Sequence, residues 1–95
     1  MDFVYGFYSV YDVIAGSYSA PMLHNNDAIA VREYAMAFAN AQPGTLFAFR
    51  PKDFELRKVG LFDLKSGMLS SCEITTVADW TVVESMLGGS EDGEK

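Results

Sequence analysis

At 95 residues, 49% hydrophobic and 21% charged, the chain has room for one small core and a composition that folds. Its 13 acidic and 7 basic residues leave a net charge of −6, which argues against general binding to a phosphate backbone. A single cysteine and a single histidine exclude an intramolecular disulfide framework and a multi-cysteine or His-rich metal site, so no cofactor or metal is expected.

The first element in chain order is a strand over residues 3–12, rich in aromatic and β-branched residues. Phe3, Tyr5, Phe7 and Tyr11 alternate with Val4, Tyr8 and Val10, so both faces are apolar and the strand reads as an interior or covered one. Residues 13–17, with Gly16 and Ser17, read as a turn. Residues 18–23 read as a short second strand, which Pro21 demotes to an edge or an irregular extended segment. Asn25-Asn26-Asp27 starts a helix that runs to Ala41, with an Asx N-cap and an acid in the first turn. On a helical wheel Ala28, Val31, Tyr34, Ala35 and Phe38 form the core stripe. Ile29 and Met36 fall among the polar residues opposite. Pro43-Gly44 ends the helix, and residues 45–53 connect it to a third strand at 54–62. Gly60 within that strand marks a bulge or a close backbone approach. A hairpin loop at 63–67 leads to a fourth strand at 68–76, and residues 79–83 fit a further strand or a short helix. Residues 1–88 form one domain, and 89–95 read as a mobile acidic tail.

Little of this sequence fits catalysis. His24, before the helix, has no nucleophile and orienting acid in sequence to complete a triad, and a polar residue near the cap is the simpler reading. Cys72 lies mid-strand with no cationic neighbour to activate it. The glycines form no phosphate-binding loop, and the carboxylates form no close pair outside the tail. No enzyme is expected. Asp2 follows Met1 with no basic region, and the aromatic run after it is too short for a signal segment or a membrane span, so the expected compartment is the cytoplasm of the cell that makes the protein.

Charge is divided along the chain. Residues 1–49 carry −3 and residues 66–95 carry −5, whereas residues 50–65 carry +2 from Arg50, Lys52, Arg57, Lys58 and Lys65 against three acids. Phe47 and Phe49 interleave with this basic segment, the composition of a stacking surface for single strands. Arg50, Lys52, Arg57, Lys58, Phe47 and Phe49 are therefore the candidate nucleic-acid contacts. The alternative is a sheet edge kept soluble by charge. Ile29 and Met36, two helical turns apart on the polar face, are the candidate protein interface; the alternative is a helix covered on two sides.

One resemblance gives these features a context. Tyr8-Ser9-Val10-Tyr11-Asp12, Ala20-Pro21, Asn26-Asp27-Ala28 with Ala30-Val31-Arg32, Pro51-Lys52-Asp53-Phe54-Glu55-Leu56, Val59-Gly60-Leu61-Phe62-Asp63 and Ser66-Gly67 follow one another in order. This series resembles the small nonstructural protein of gokushovirus-like microviruses, which are single-stranded-DNA bacteriophages. The likeness spans about residues 7–75, with Ser66 where the family often has Thr. It implies a protein absent from the virion that acts at the switch from duplex replication to single-stranded genome synthesis, with DNA binding. It brings no catalytic residues. Arg32 and Asp63 of the motif are left as functional residues or as partners of each other or of loops.

The expected fold is α+β, an antiparallel sheet of three to four strands with one main helix across a face, in the order β-(β)-α-β-β. The expected partners are a viral or host replication or packaging protein, single-stranded DNA and a second copy of the chain, which would bury aromatic surface left by a thin core. A membrane and a small-molecule substrate are not expected. The alternative function is an oligomerising, host-binding or capsid-binding module with no nucleic-acid role.

Overall fold

A computed structural model describes residues 3–93, with side chains described as far as Gly88. Strand β1 (Val4–Asp12) turns into a two-residue strand β2 (Ser17–Tyr18) and a three-residue strand β3 (Met22–His24). Helix α1 (Asp27–Ala39) follows, then a helical turn α2 (Leu46–Phe49) and a 3-10 turn at Pro51–Asp53. Strands β4 (Phe54–Asp63) and β5 (Leu69–Ala78) form a hairpin, and helix α3 (Trp80–Gly93) ends the described chain. All pairings are antiparallel, in the order β2-β1-β4-β5, and β3 also pairs with β1. The fold class is α+β, as the residue pattern implies.

Five strands appear because the expected second strand is split. Pro21 has no N–H for the ladder, and the chain leaves β1 between Tyr18 and Met22. Ser19 bridges the gap: its N–H donates to the Val10 carbonyl at 2.9 Å, and its Oγ accepts from the Val10 N–H at 3.0 Å. Ser9 Oγ donates to the Ser19 carbonyl at 2.7 Å, which satisfies a hydroxyl in a residue only 2% exposed.

Tyr8, Val10, Phe54 and Leu56 point to the face on which α1 and α3 stand, while Phe7, Tyr11, Arg57 and Phe62 point to the other. The core joins Tyr8, Leu56 and Ala78 of the sheet to Ala30, Tyr34, Ala35 and Phe38 of α1 and Val83 of α3. Phe47 stacks on Phe38 with ring centres 4.2 Å apart and meets Phe54 edge-on at 4.8 Å. The helix differs from expectation in two respects. It ends at Ala39 with Asn40 as its cap, and its buried stripe includes Ala30 while Ala28 is exposed. The N-cap is as expected, with Asn26 Oδ1 accepting from the Ile29 N–H at 2.9 Å. Residues 79–83 open a helix, not a strand, with Asp79 accepting from the Val82 N–H at 3.3 Å. Backbone 89–93 continues that helix, while the side chains of the expected acidic tail lie outside the described residues.

Gly60 in β4, which the sequence marked, and Gly6 in β1, which it did not, are sites of close approach. The β1–β4 register skips Val59, so a bulge sits beside Gly60, where a β-carbon would stand 3.2 Å from the Ser70 carbonyl oxygen. Gly6 lies under the Tyr8 ring, and a β-carbon there would stand 2.8 Å from it. The hairpin loop closes on Gly67 at φ 76°, with Asp63 Oδ1 accepting from the Lys65 and Ser66 N–H groups at 2.8 and 3.2 Å. Asp63 is thus a loop cap in this fold. Because the Tyr8 ring is fully buried, Gly6→Ala is expected to cost about 1–3 kcal/mol in urea unfolding. A curve matching the parent chain would show that the ring has room to shift.

Candidate functional site

The sequence placed six residues in a basic aromatic segment, and the structure distributes them over four places. Arg57 and Lys58 are neighbours on β4, so their side chains leave opposite faces of the sheet. Lys58 Nζ lies 3.6 Å from Asp27 at the start of α1. Arg57 crosses the other face. Its guanidinium lies 4.0 Å over the Tyr11 ring, donates to the Tyr18 hydroxyl at 2.8 Å and to Glu55 at 3.0 Å. Glu55 also accepts from the Thr76 hydroxyl at 3.1 Å, so β2, β1, β4 and β5 are tied together through one guanidinium and one carboxylate. The Tyr18 hydrogen bond holds Arg57 more firmly protonated, opposed by partial desolvation and reinforced by Glu55.

Phe47 is turned into the core against Phe38 and is not presented to a base. Phe49, Arg50 and Lys52 remain together, on α2 and the turn after it. Phe49 is 75% exposed, Arg50 pairs with Asp53 at 3.4 Å, and Lys52 makes no ion pair among the described residues. Of the six, Phe49, Arg50 and Lys52 keep an exposed ring beside two cations.

A polar node joins β1, β4 and α1. The Tyr8 hydroxyl donates to Asp27 Oδ1 at 2.5 Å, and Lys58 approaches the same oxygen. The His24 ring leans on Tyr8 with centres 5.7 Å apart, which makes it a packing residue. Cys72 is half-buried within β5. Arg32 is exposed on α1 and forms no ion pair with Asp63.

One open feature is apolar. A groove of about 640 Å³ runs between α1 and residues 19–24, lined by Val10, Ala20, Met22, Ala37, Met36, Phe47 and Leu56, with Glu33, His24, Asn40 and Ser19 as its polar residues. Met36 of the expected interface pair lines it and is 49% exposed, whereas Ile29 is half-buried and lies outside it. The sequence missed the Met22 side of the groove. Its signal was Pro21, which interrupts the pairing with β1 between β2 and β3 and marks an edge whose apolar side chains beside the helix stay uncovered.

Two phenols give the fold an alkaline limit. Burial, then the Asp27 hydrogen bond and charge, push the Tyr8 phenol well above its ordinary value of 10. Burial, then Glu55 and Asp79, do the same to Tyr34, whose hydroxyl is buried without a partner among the described residues. Such groups favour folding in full below the unfolded value of 10, and that advantage is lost as pH rises beyond it through the folded values. Unfolding free energy measured from pH about 8 to about 11 is therefore expected to hold and then fall, with a shallower fall in Tyr8→Phe. Equal slopes for the two proteins would contradict this placement of Tyr8.

No curated protein and no solved structure matches the chain. A family model described as Phage ORF5 protein matches residues 5–83, which spans β1 through the first turn of α3 and includes the polar node, the Arg57 cluster and the groove. With most of its length inside that match, the chain belongs to the Phage ORF5 protein family and is a bacteriophage protein.

Proposed function

We propose that this phage protein is a non-catalytic accessory factor of a gokushovirus-like microvirus. It acts in the cytoplasm of the infected bacterium, in genome replication or packaging, by holding a viral or host protein. The microvirus assignment rests on the ordered motif series from Tyr8 to Gly67. The observation that supports action by protein contact is the open apolar groove beside α1, where Met36, Met22 and Ala37 stand uncovered. An apolar concavity with a few polar residues suits an apolar segment of another protein. The cations give less support to a nucleic-acid function, since Arg57, Lys58 and Arg50 each have an acidic partner within the fold.

Affinity capture from phage-infected cells, read by mass spectrometry, tests the reading. The parent chain is expected to enrich a viral replication, packaging or capsid protein or a host replication protein. Met36→Glu is expected to lose it at least about tenfold, because a buried unpaired carboxylate is costly. Equal capture by both chains would remove the groove from the account.

Single-stranded DNA is a second reading, favoured by one observation: Phe49 is 75% exposed beside Lys52, which makes no ion pair among the described residues. In a mobility-shift titration, binding at this corner would weaken with salt and disappear in Arg50→Glu/Lys52→Glu, while Lys58→Gln would leave it unchanged. A parent chain that leaves the oligonucleotide unshifted at low salt removes this reading and leaves the first intact.

A further inference from the structure

Helix α2 is a single turn that carries two phenylalanines to different places. Phe47 packs on Phe38 and forms part of the wall of the apolar groove. Phe49, two residues on, is 75% exposed, and Leu46 of the same turn is 59% exposed. The turn is fixed by its own hydrogen bonds. Thr45 Oγ1 accepts from the Ala48 N–H at 3.3 Å, and the Thr45 carbonyl accepts from the Phe49 N–H at 3.0 Å. Phe49 and Leu46 are therefore a preorganised apolar knob on the element that borders an apolar hole. The charges beside knob and hole are opposite. Glu33 lines the groove, is exposed and makes no ion pair among the described residues, and among those residues no Lys or Arg lines the groove. Arg50 follows Phe49 directly, and Lys52, also exposed, makes no ion pair among the described residues.

We propose that the groove of one copy receives Phe49 and Leu46 of a second copy, and that the second groove receives the same turn of the first. Each copy carries both halves of the contact, so a two-fold pair engages both at once. Seating Phe49 brings Arg50 and Lys52 to Glu33 of the facing copy, which gives the contact electrostatic complementarity. The net charge of −6 on each copy acts against pairing in general. This contact sets against an acidic groove the one segment, residues 50–65, that carries +2. The sizes also agree. A groove of about 640 Å³ lies within the roughly 300–1,000 Å³ of pockets that enclose a small ligand. Met22 and Met36 on its two sides are flexible enough to close on a ring. An aromatic side chain buries roughly 150–250 Å². Two such rings, with Leu46 and the walls that receive them, bring the pair near the roughly 1,000 Å² that a specific interface needs. This deepens the function proposed above and rests on it in taking the groove as a contact surface: a second copy covers the groove until a viral or host protein displaces it.

Sedimentation equilibrium on the purified full chain, from about 10 to about 500 µM, is expected to show the mass rising from 10.5 kDa to twice that value and no further. Phe49→Ser removes the knob and Met36→Glu spoils the hole, both at exposed positions, and each alone is expected to weaken pairing at least about tenfold. An equimolar mixture of the two variants retains one intact knob and one intact hole. It is expected to associate more strongly than either variant alone, which a variant that merely failed to fold could not do. In the capture experiment Phe49→Ser is expected to hold the viral or host protein at least as well as the parent chain, because its groove is free. A monomer throughout, a mass that climbs past the pair, pairing that Phe49→Ser leaves intact, or a mixture no stronger than its components would each overturn the proposal. A monomeric parent that still captures its protein through Met36 ends this contact and leaves the function above standing. A pair that captures nothing removes that function and leaves the contact.

Discussion

Tyr8 is fully buried in the middle of β1, and its hydroxyl, unlike that of Tyr34, is bonded to the start of the main helix, a contact on which much of the architecture depends. Tyr8 lies between β4 and the start of α1, and its hydroxyl reaches Asp27, the first residue of the helix. An unpaired hydroxyl there would cost roughly 1–3 kcal/mol, so the contact sets where α1 begins over the sheet. Asn26 then caps the helix, Lys58 closes on the same carboxylate from β4, and Gly6 provides the space the ring occupies. Downstream of that anchor, Ala30, Tyr34 and Phe38 descend on Leu56 and Phe54, and α3 closes the far side through Val83.

The same packing decides which surfaces remain. Helix α3 packs beside β5 while α1 touches both β3 and β5, and an apolar groove stays open between α1 and residues 19–24. The basic segment is used internally. Lys58 serves the polar node, Arg57 laces four strands on the opposite face, and Arg50 caps its own turn against Asp53. Among the described residues the cations form no assembled basic face, and the local excess at residues 50–65 is largely spent on structure. What the surface offers in quantity is uncovered apolar side chain, which suits protein partners.

The long elements were legible in the sequence because their signals are local. The Asn26 cap, the bulge at Gly60, the positive φ at Gly67 and the edge character imposed by Pro21 all follow from residue chemistry at one position. The misplaced features depend on distant contacts. Ala28 and Ala30 are equally good helix formers, and only packing in the core that includes Leu56 decides that Ala30 is buried. Phe47 and Phe49 look alike in sequence, yet the turn at Leu46–Phe49 sends one into the Phe38 stack and the other to solvent. The groove was half legible. Met36 stood out on a polar helix face, but Met22 becomes its neighbour only through the fold, and Ile29 does not join them.

The central claim is that this family member works through apolar protein contact and not through its cations. The salt dependence of capture from infected cells tests it most directly. Between about 50 mM and about 500 mM salt, apolar recognition is expected to retain its partner at nearly constant yield, whereas recognition through phosphate or ion pairs falls steeply over the same range. Constant capture supports the groove as the working surface. Loss of the captured protein in parallel with rising salt would contradict the account and return the function to Arg50 and Lys52.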